Sequence, residues 1–199
     1  DNDFIGGHFY FCPNEPLSSQ HYYCTVLRDP VRRFISQYYF HRQIGESLLE
    51  QGAIGDKHLT DIQVLSSLRL NISDYVRQNG PIRNSFANTQ ALHFAARVTN
   101  SPELLDDHAL LDAAITSLEA YDLIGSFDNL PGFVDAVARD FQTYPVVIGH
   151  LNVTRLTSER RVIADDVLKL LAQVNTVDYK ILHWAAQRFG WESNGAPKS

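Results

Sequence analysis

An arginine, a helix start and a hydroxyl follow one another early in the chain. Arg28 directly precedes Asp29 and Pro30, and Ser36 lies eight positions after Arg28. A guanidinium offers a rigid fork of N–H donors, and the first turn of a helix adds free N–H groups and the positive end of its dipole. A phosphate fits such a site. The spacing is equally typical of an arginine paired with a surface carboxylate, with Asp29 and Arg33 as an ordinary i, i+4 pair.

A strand and a helix must position these groups. Residues 21–27 are rich in aromatic and β-branched side chains, which predicts a buried strand that ends just before Arg28. Asp29 is a typical N-cap and Pro30 a typical first helical residue. Apolar residues at positions 31, 34, 35 and 38 have the spacing that buries one helix face. We therefore predict a strand, a tight turn and a helix, which places Arg28 at the carboxyl end of a strand, where open α/β sheets bind ligands.

The string TVLRDPVRRFISQYYF, residues 25–40, resembles a segment of the sulfotransferases that use 3′-phosphoadenosine 5′-phosphosulfate (PAPS). It resembles in particular the branch that contains the heparan sulfate 2-O- and 6-O-sulfotransferases and their bacterial relatives. In that family the arginine before Asp-Pro and the serine eight positions later hold the cofactor's 3′-phosphate. The resemblance implies the same roles for Arg28 and Ser36. It also implies a P-loop-NTPase-like three-layer α/β fold with a small parallel sheet and many helices.

His8 belongs to the sequence Gly-Gly-His-Phe near the start of the chain. A Gly-His pair lies ahead of the 3′-phosphate segment in the same family, and its histidine takes a proton from the acceptor hydroxyl. The resemblance thus implies that His8 is the catalytic base. An imidazole suits this task because its ordinary pKa lies near neutrality. Without the resemblance, the pattern is also typical of a hydrogen-bonded histidine on a short strand.

Asn88 and Gln90 lie in a helix predicted over residues 84–98. Relatives carry an Asn-x-Gln-Thr-Arg pattern at this point, near the cofactor and the acceptor, which implies that Asn88 and Gln90 bind substrate. An alanine and a leucine replace the threonine and arginine of that pattern here. Two exposed amides on an ordinary helix are the alternative interpretation.

Arg155 belongs to the sequence GHLNVTR. This stretch resembles an Asn-Val-Ser-Lys type segment that lies close to the cofactor in the family, which implies that Arg155 contacts a cofactor phosphate. An arginine in an ordinary surface loop explains the stretch equally well.

The remaining chain predicts further helices and one more strand. Because strand and helix alternate, we expect a parallel sheet with right-handed crossovers within a single domain over residues 1–199. A surface loop is predicted over 44–61, where glycines interrupt the apolar pattern. The predicted helices span 59–70, 73–78, 104–120, 129–141, 165–174 and 176–189, and the predicted second strand spans 121–127.

Composition limits the class of protein. The formal net charge is −6, which disfavours a general nucleic-acid or polyanion binder, so any anion site must be local. Two cysteines exclude a disulfide framework, and eight histidines without close spacing give no metal site, so we predict no metal. No apolar run approaches bilayer length. We expect a soluble protein without a membrane segment, of bacterial cytoplasmic type, with the Golgi lumen as the alternative.

The resemblance implies sulfuryl transfer from PAPS to a hydroxyl of a carbohydrate, with adenosine 3′,5′-bisphosphate as product. The acidic balance favours a neutral or lightly charged glycan as acceptor. The lysine- and glycine-containing loop that cradles the 5′-phosphosulfate in the family is not visible. We therefore expect the sequence to be truncated at its N-terminus, with the first strand and that loop upstream.

A non-catalytic nucleotide- or glycan-binding module derived from the same fold is the alternative function. Such a module would retain the 3′-phosphate pocket and lack the machinery of transfer. A nucleotide kinase is disfavoured because the sequence contains no GxxxxGK[ST] motif.

Overall fold

The computed structural model describes residues 22–52, 61–144 and 163–191. Within these ranges the chain is a mixed α/β fold, mostly helical, with a sheet of two parallel strands. The strands are β1 (Cys24–Leu27) and β2 (Leu123–Ser126). The helices are α1 (Pro30–Glu50), α2 (Ile62–Arg69), α3 (Ile72–Val76), α4 (Pro81–Asn84), α5 (Thr89–Ala95), α6 (Asp107–Leu118), α7 (Leu130–Asp140), α8 (Asp165–Val174) and α9 (Thr176–Phe189).

The parallel sheet sets the geometry of the molecule. Cys24 pairs with Leu123 and Leu27 pairs with Ser126, so the two carboxyl ends lie at the same edge. Parallel strands need a long crossover, and here the chain from α1 to α6 supplies it. Both strands are shorter than predicted, because only four residues of each are paired. The small parallel sheet and the many helices were predicted correctly.

The N-terminal part of α1 follows the prediction, but its C-terminal part does not. Pro30 is the first helical residue, and Asp29 Oδ1 accepts a hydrogen bond from Arg32 N–H at 2.8 Å. The loop predicted over 44–61 is wrong for its first residues, since α1 continues to Glu50. Gly45, read as a helix breaker, is buried, and a Cβ there would lie 2.6 Å from Leu68 Cδ1 of α2. The glycine therefore permits close packing of α1 on α2.

The segment before α5 also differs from the prediction. The helix predicted over 73–78 begins and ends earlier, since α3 is capped by Asn71, whose Oδ1 accepts from Asp74 N–H at 2.9 Å. The single helix predicted over 84–98 is replaced by α4, a turn and then α5. Asn88 has a left-handed backbone with φ 45°, which prevents a continuous helix from crossing this position.

The last two helices have the predicted bounds, and α6 and α7 fall within theirs. Val177, Ile181 and Ala185 form a buried stripe of α9. Trp184 and Phe189 are half-buried and pack against it. Periodicity suffices here because each helix buries one continuous face.

The core has two apolar clusters. The first packs the sheet against α5, α6 and α9, and the second packs α1 against α3 and α8. Members of the first include Leu27, Ala91, Leu118, Ile124 and Ile181, and members of the second include Phe34, Tyr38, Tyr75, Phe86 and Leu171. In the part of the chain that the structure describes, no helix has both the length and the apolar character needed to span a bilayer.

Candidate functional site

Arg28 lies at the carboxyl edge of the sheet. Arg28 and Phe127 directly follow the paired residues Leu27 and Ser126. The guanidinium carbon of Arg28 lies 4.3 Å from the centroid of the Phe127 ring, a cation–π contact. Arg28 Nε is buried and has no hydrogen-bond partner among the described residues. Because an unsatisfied buried N–H group is unfavourable, this atom is suited to donate to a ligand.

The electrostatic surroundings of Arg28 also favour an anion. Burial lowers the pKa of the Arg28 guanidinium from its ordinary value, and the charge of Asp128 opposes that change. Arg33 and Arg32 lower the pKa further, since both bring positive charge close to Arg28. Three guanidinium groups therefore lie near one point of the edge. A bound phosphate would relieve the repulsion between them.

Gln90 holds the backbone of Arg28. Arg28 N–H donates to Gln90 Oε1 at 3.0 Å, and Gln90 Nε2 donates to the Arg28 carbonyl at 2.9 Å. The Gln90 side-chain amide thus satisfies both the N–H and the C=O of Arg28, as the backbone of a paired strand would. Gln90 is only 8% exposed. The structure brings two of the predicted site residues together, and it directs the Gln90 amide at the Arg28 backbone.

Asn88 lies where α5 meets α9. Its Oδ1 accepts from the N–H groups of Val177 at 3.0 Å and Asp178 at 3.4 Å, so it caps α9. The N–H of Asn88 donates to Asn175 Oδ1 at 2.9 Å. The side-chain oxygen of Asn88 is therefore hydrogen-bonded to the N-terminus of α9.

Asp178 caps α5 in return. Its carboxylate accepts from Ala91 N–H at 2.7 Å and from Gln90 N–H at 3.2 Å. Asp178 is fully buried, and this burial raises the pKa of its carboxyl while the two backbone hydrogen bonds act in the opposite direction. Each of the two helices thus has its N-terminus capped by a side chain of the other. The sequence showed only an acidic residue in a first helical turn, which is a weak signal.

Ser36 and two arginines share one face of α1. Ser36 lies four residues after Arg32 and three after Arg33, the spacings that bring side chains together on a helix. Arg33 Nη1 donates to Thr89 Oγ1 and to Gln37 Oε1. Ser36 is half-buried in this polar face, on the first turns of the helix that follows Arg28.

The two carboxylates nearest to the arginines have distinct partners. Asp29 accepts from the Arg32 backbone through Oδ1 and from the Tyr179 hydroxyl through Oδ2, the latter at 3.1 Å. Burial and the neighbouring Asp29 carboxylate raise the pKa of Tyr179. Asp128 accepts from Arg32 Nη1 at 3.0 Å. The alternative interpretation of an Asp29–Arg33 ion pair therefore does not describe the contacts of Asp29.

His8 and Arg155 lie outside the described residues, so their proposed roles remain predictions. Among residues 22–52, 61–144 and 163–191, no group of three or more histidine, cysteine or acidic side chains is arranged to hold a metal ion. Phe127 and Asp128 were not predicted as site residues. Their position directly after the second strand was the available signal, because parallel strands end at the same edge.

Comparison with protein-family models, curated proteins and solved structures gives no match for this chain. The geometry of the site and the sequence motif are therefore the grounds for a function. Both place the candidate site at the carboxyl edge of the sheet, where Arg28 and the start of α1 lie together.

Proposed function

We propose that the protein is a PAPS-dependent sulfotransferase that acts on a hydroxyl of a carbohydrate, with Arg28 and Ser36 holding the 3′-phosphate. One observation carries the proposal: the buried Arg28 Nε has no hydrogen-bond partner among the described residues. This donor lies at the carboxyl end of a parallel strand, directly before the N-terminus of α1. Such a position suits a phosphate group.

The local structure of residues 25–40 supports the proposal further. The motif needs a strand, a tight turn and a helix, and this segment contains the end of β1 and the start of α1. Asp29 caps the helix, and both oxygens of its carboxylate have hydrogen-bond partners other than Arg28, while its charge raises the pKa of the Arg28 guanidinium. The proposal includes the P-loop-NTPase-like arrangement that the resemblance implies.

The proposed chemistry divides between binding and proton transfer. Bound PAPS would supply the sulfuryl group: the acceptor oxygen would form its bond to sulfur as the bond between sulfur and the 5′-phosphate oxygen breaks, and adenosine 3′,5′-bisphosphate would leave. Arg28 and Ser36 fix the position of the nucleotide by donating hydrogen bonds to its 3′-phosphate. His8 accepts the proton of the acceptor hydroxyl. Positioning and charge neutralisation are expected to supply most of the acceleration.

A calorimetric titration tests the nucleotide site. We expect adenosine 3′,5′-bisphosphate to bind much more tightly than adenosine 5′-phosphate, because only the former carries the 3′-phosphate. Arg28→Ala should weaken that binding roughly 10- to 100-fold, the effect of losing hydrogen bonds to a charged group. Arg69→Ala is the matched control, since Arg69 is exposed at the end of α2 and its loss changes the net charge equally.

An activity measurement tests the transfer step. Wild-type protein should transfer sulfate from PAPS to a sugar acceptor, and His8→Ala should abolish transfer while nucleotide binding persists. Equal binding of the two nucleotides, or an unaffected Arg28→Ala variant, would overturn the proposed site. Binding without transfer to any acceptor would instead favour the non-catalytic nucleotide-binding module.

A further inference from the structure

Asp128 places a negative charge within the arginine cluster. It lies two residues after β2, at the same edge as Arg28. Its Oδ1 accepts from Arg32 Nη1 at 3.0 Å, and its N–H donates to Ser126 Oγ at 3.3 Å. The Asp128 charge also acts on Arg28, since it raises the pKa of that guanidinium. The carboxylate thus interacts with two of the groups that would attract a phosphate.

The pair between Asp128 and Arg32 is easily broken. The side chains of Arg32 and Asp128 are 64% and 41% exposed, so water and salt weaken their attraction. A phosphate carries more negative charge than a carboxylate and offers three oxygens, which makes it the stronger partner for guanidinium groups. Arg32 is therefore available to an anion that can compete with Asp128.

We infer that Asp128 is an internal counter-ion, which pairs with Arg32 in the free protein and which a bound phosphate displaces from that arginine. This inference rests on the proposed function, because it assumes that the 3′-phosphate binds beside Arg28. Asp128 thereby lowers the affinity for the nucleotide. It also assists release of adenosine 3′,5′-bisphosphate, since the carboxylate pairs with Arg32 again as the product leaves.

A titration of Asp128→Asn with adenosine 3′,5′-bisphosphate tests the inference. The variant should bind the nucleotide roughly threefold more tightly than wild type, as expected for removal of an exposed ion pair. Asp135→Asn is the matched control, because Asp135 is exposed on the nearby α7 and its substitution changes the net charge equally. The control should bind as wild type does.

A double-mutant cycle separates competition from general repulsion. In an Arg32→Ala background, Asp128→Asn should tighten binding clearly less than it does in wild type, because the pair that it disrupts is already absent and only the effect of its charge on Arg28 remains. The inference is overturned if Asp128→Asn and Asp135→Asn behave alike, if Asp128→Asn weakens binding, or if its effect persists undiminished without Arg32. Absence of nucleotide binding by wild type overturns the proposed function as well, so the two failures are distinguishable.

Discussion

Arg28, Arg32 and Arg33 lie close together around the start of α1, but their side chains make different contacts. Arg28 has its backbone fixed by Gln90 and its guanidinium placed on the Phe127 ring, and its Nε remains without a partner among the described residues. Arg32 is paired with a carboxylate, and Arg33 is hydrogen-bonded to Thr89 and Gln37. Among these three arginines, the buried donor without a partner is therefore the Arg28 Nε.

Substitution of Gln90 tests whether the backbone of Arg28 must be held for binding. Gln90→Ala removes both hydrogen bonds to Arg28 and should reduce the free energy of unfolding by about 1–3 kcal/mol, since it leaves buried groups unsatisfied. Binding of adenosine 3′,5′-bisphosphate should weaken roughly three- to tenfold, because Arg28 loses its fixed position. Urea denaturation and calorimetry measure the two effects.

The control for this substitution is Gln187→Ala, which alters an exposed glutamine near the end of α9. It should leave both stability and binding close to wild type. If Gln90→Ala binds the nucleotide with unchanged affinity at a temperature where circular dichroism shows it folded, Gln90 does not position Arg28.

At the scale of elements, α5 and α9 cap each other's N-termini. Asn88 caps α9 and Asp178 caps α5, so two helices distant in sequence fix one another. Gln90 lies in the first turn of α5 and holds Arg28. The mutual caps are therefore connected, through a single side chain, to the candidate anion site.

Replacement of Asp178 should change how stability depends on pH. Burial raises the pKa of the Asp178 carboxyl, so the folded state holds this proton more strongly than the unfolded chain does. Its contribution to stability is therefore present below the unfolded pKa of about 4 and is lost as pH rises through the folded pKa. The stability advantage of wild type over Asp178→Asn should decrease over that pH window.

Urea denaturation at several pH values measures this difference. Asp178→Asn should also lose about 1–3 kcal/mol in the acidic range, because the two backbone N–H groups bond to different carboxylate oxygens and the amide replaces one of these oxygens with an NH2 donor. Asp135→Asn, at an exposed position of α7, should show neither effect. A difference between wild type and Asp178→Asn that stays constant with pH would contradict the assigned titration.

Substitutions at Asn88 separate its cap from its backbone conformation. Asn88→Gly tolerates the left-handed φ of 45° and loses the side-chain acceptor for the N–H groups of Val177 and Asp178, so it should cost about 1 kcal/mol of stability. Asn88→Ala should cost roughly 1 kcal/mol more, because alanine is strained at positive φ. Thermal denaturation compares the two. Equal stability of both variants would show that the backbone conformation contributes nothing.

Local signals in the sequence located some helix ends and missed others. Pro30 and its capping Asp29 predicted the start of α1, since both act within one turn. The end of α1 was missed because the role of Gly45 depends on Leu68 of another helix. The start of α5 was missed for a related reason: Asn88 takes its contacts from residues near position 177.

The candidate site shows the same division. The place of Arg28 after a strand followed from its own neighbours in sequence. The contributions of Phe127 and Asp128 depend on the pairing of β1 with β2, which a sequence pattern does not specify. Propensity thus placed Arg28 after a strand, and the pairing of β1 with β2 determines which side chains surround it.

At the scale of the whole molecule, the candidate site lies where the two core clusters meet. Leu27, directly before Arg28, belongs to the cluster around the sheet, and Phe34 of α1 belongs to the other. A nucleotide held by Arg28 and Ser36 would connect the end of β1 to α1. Its binding should therefore stabilise both clusters together. The formal net charge of the chain is −6, so this anion must be attracted by the local arginines and not by the chain as a whole.

This stabilisation is measurable as a shift in melting temperature. At a concentration of adenosine 3′,5′-bisphosphate about 100 times its Kd, a ligand that binds only the folded state adds about 2.7 kcal/mol. For a chain of 199 residues, this should raise Tm by roughly 5 to 10 °C. With its affinity weakened roughly 10- to 100-fold, Arg28→Ala should retain only about 0.4–1.4 kcal/mol of this stabilisation and about half of the wild-type shift or less, whereas Arg69→Ala should shift as wild type does. An equal shift in Arg28→Ala would place the nucleotide elsewhere, because the stabilisation would then not depend on the carboxyl edge of the sheet.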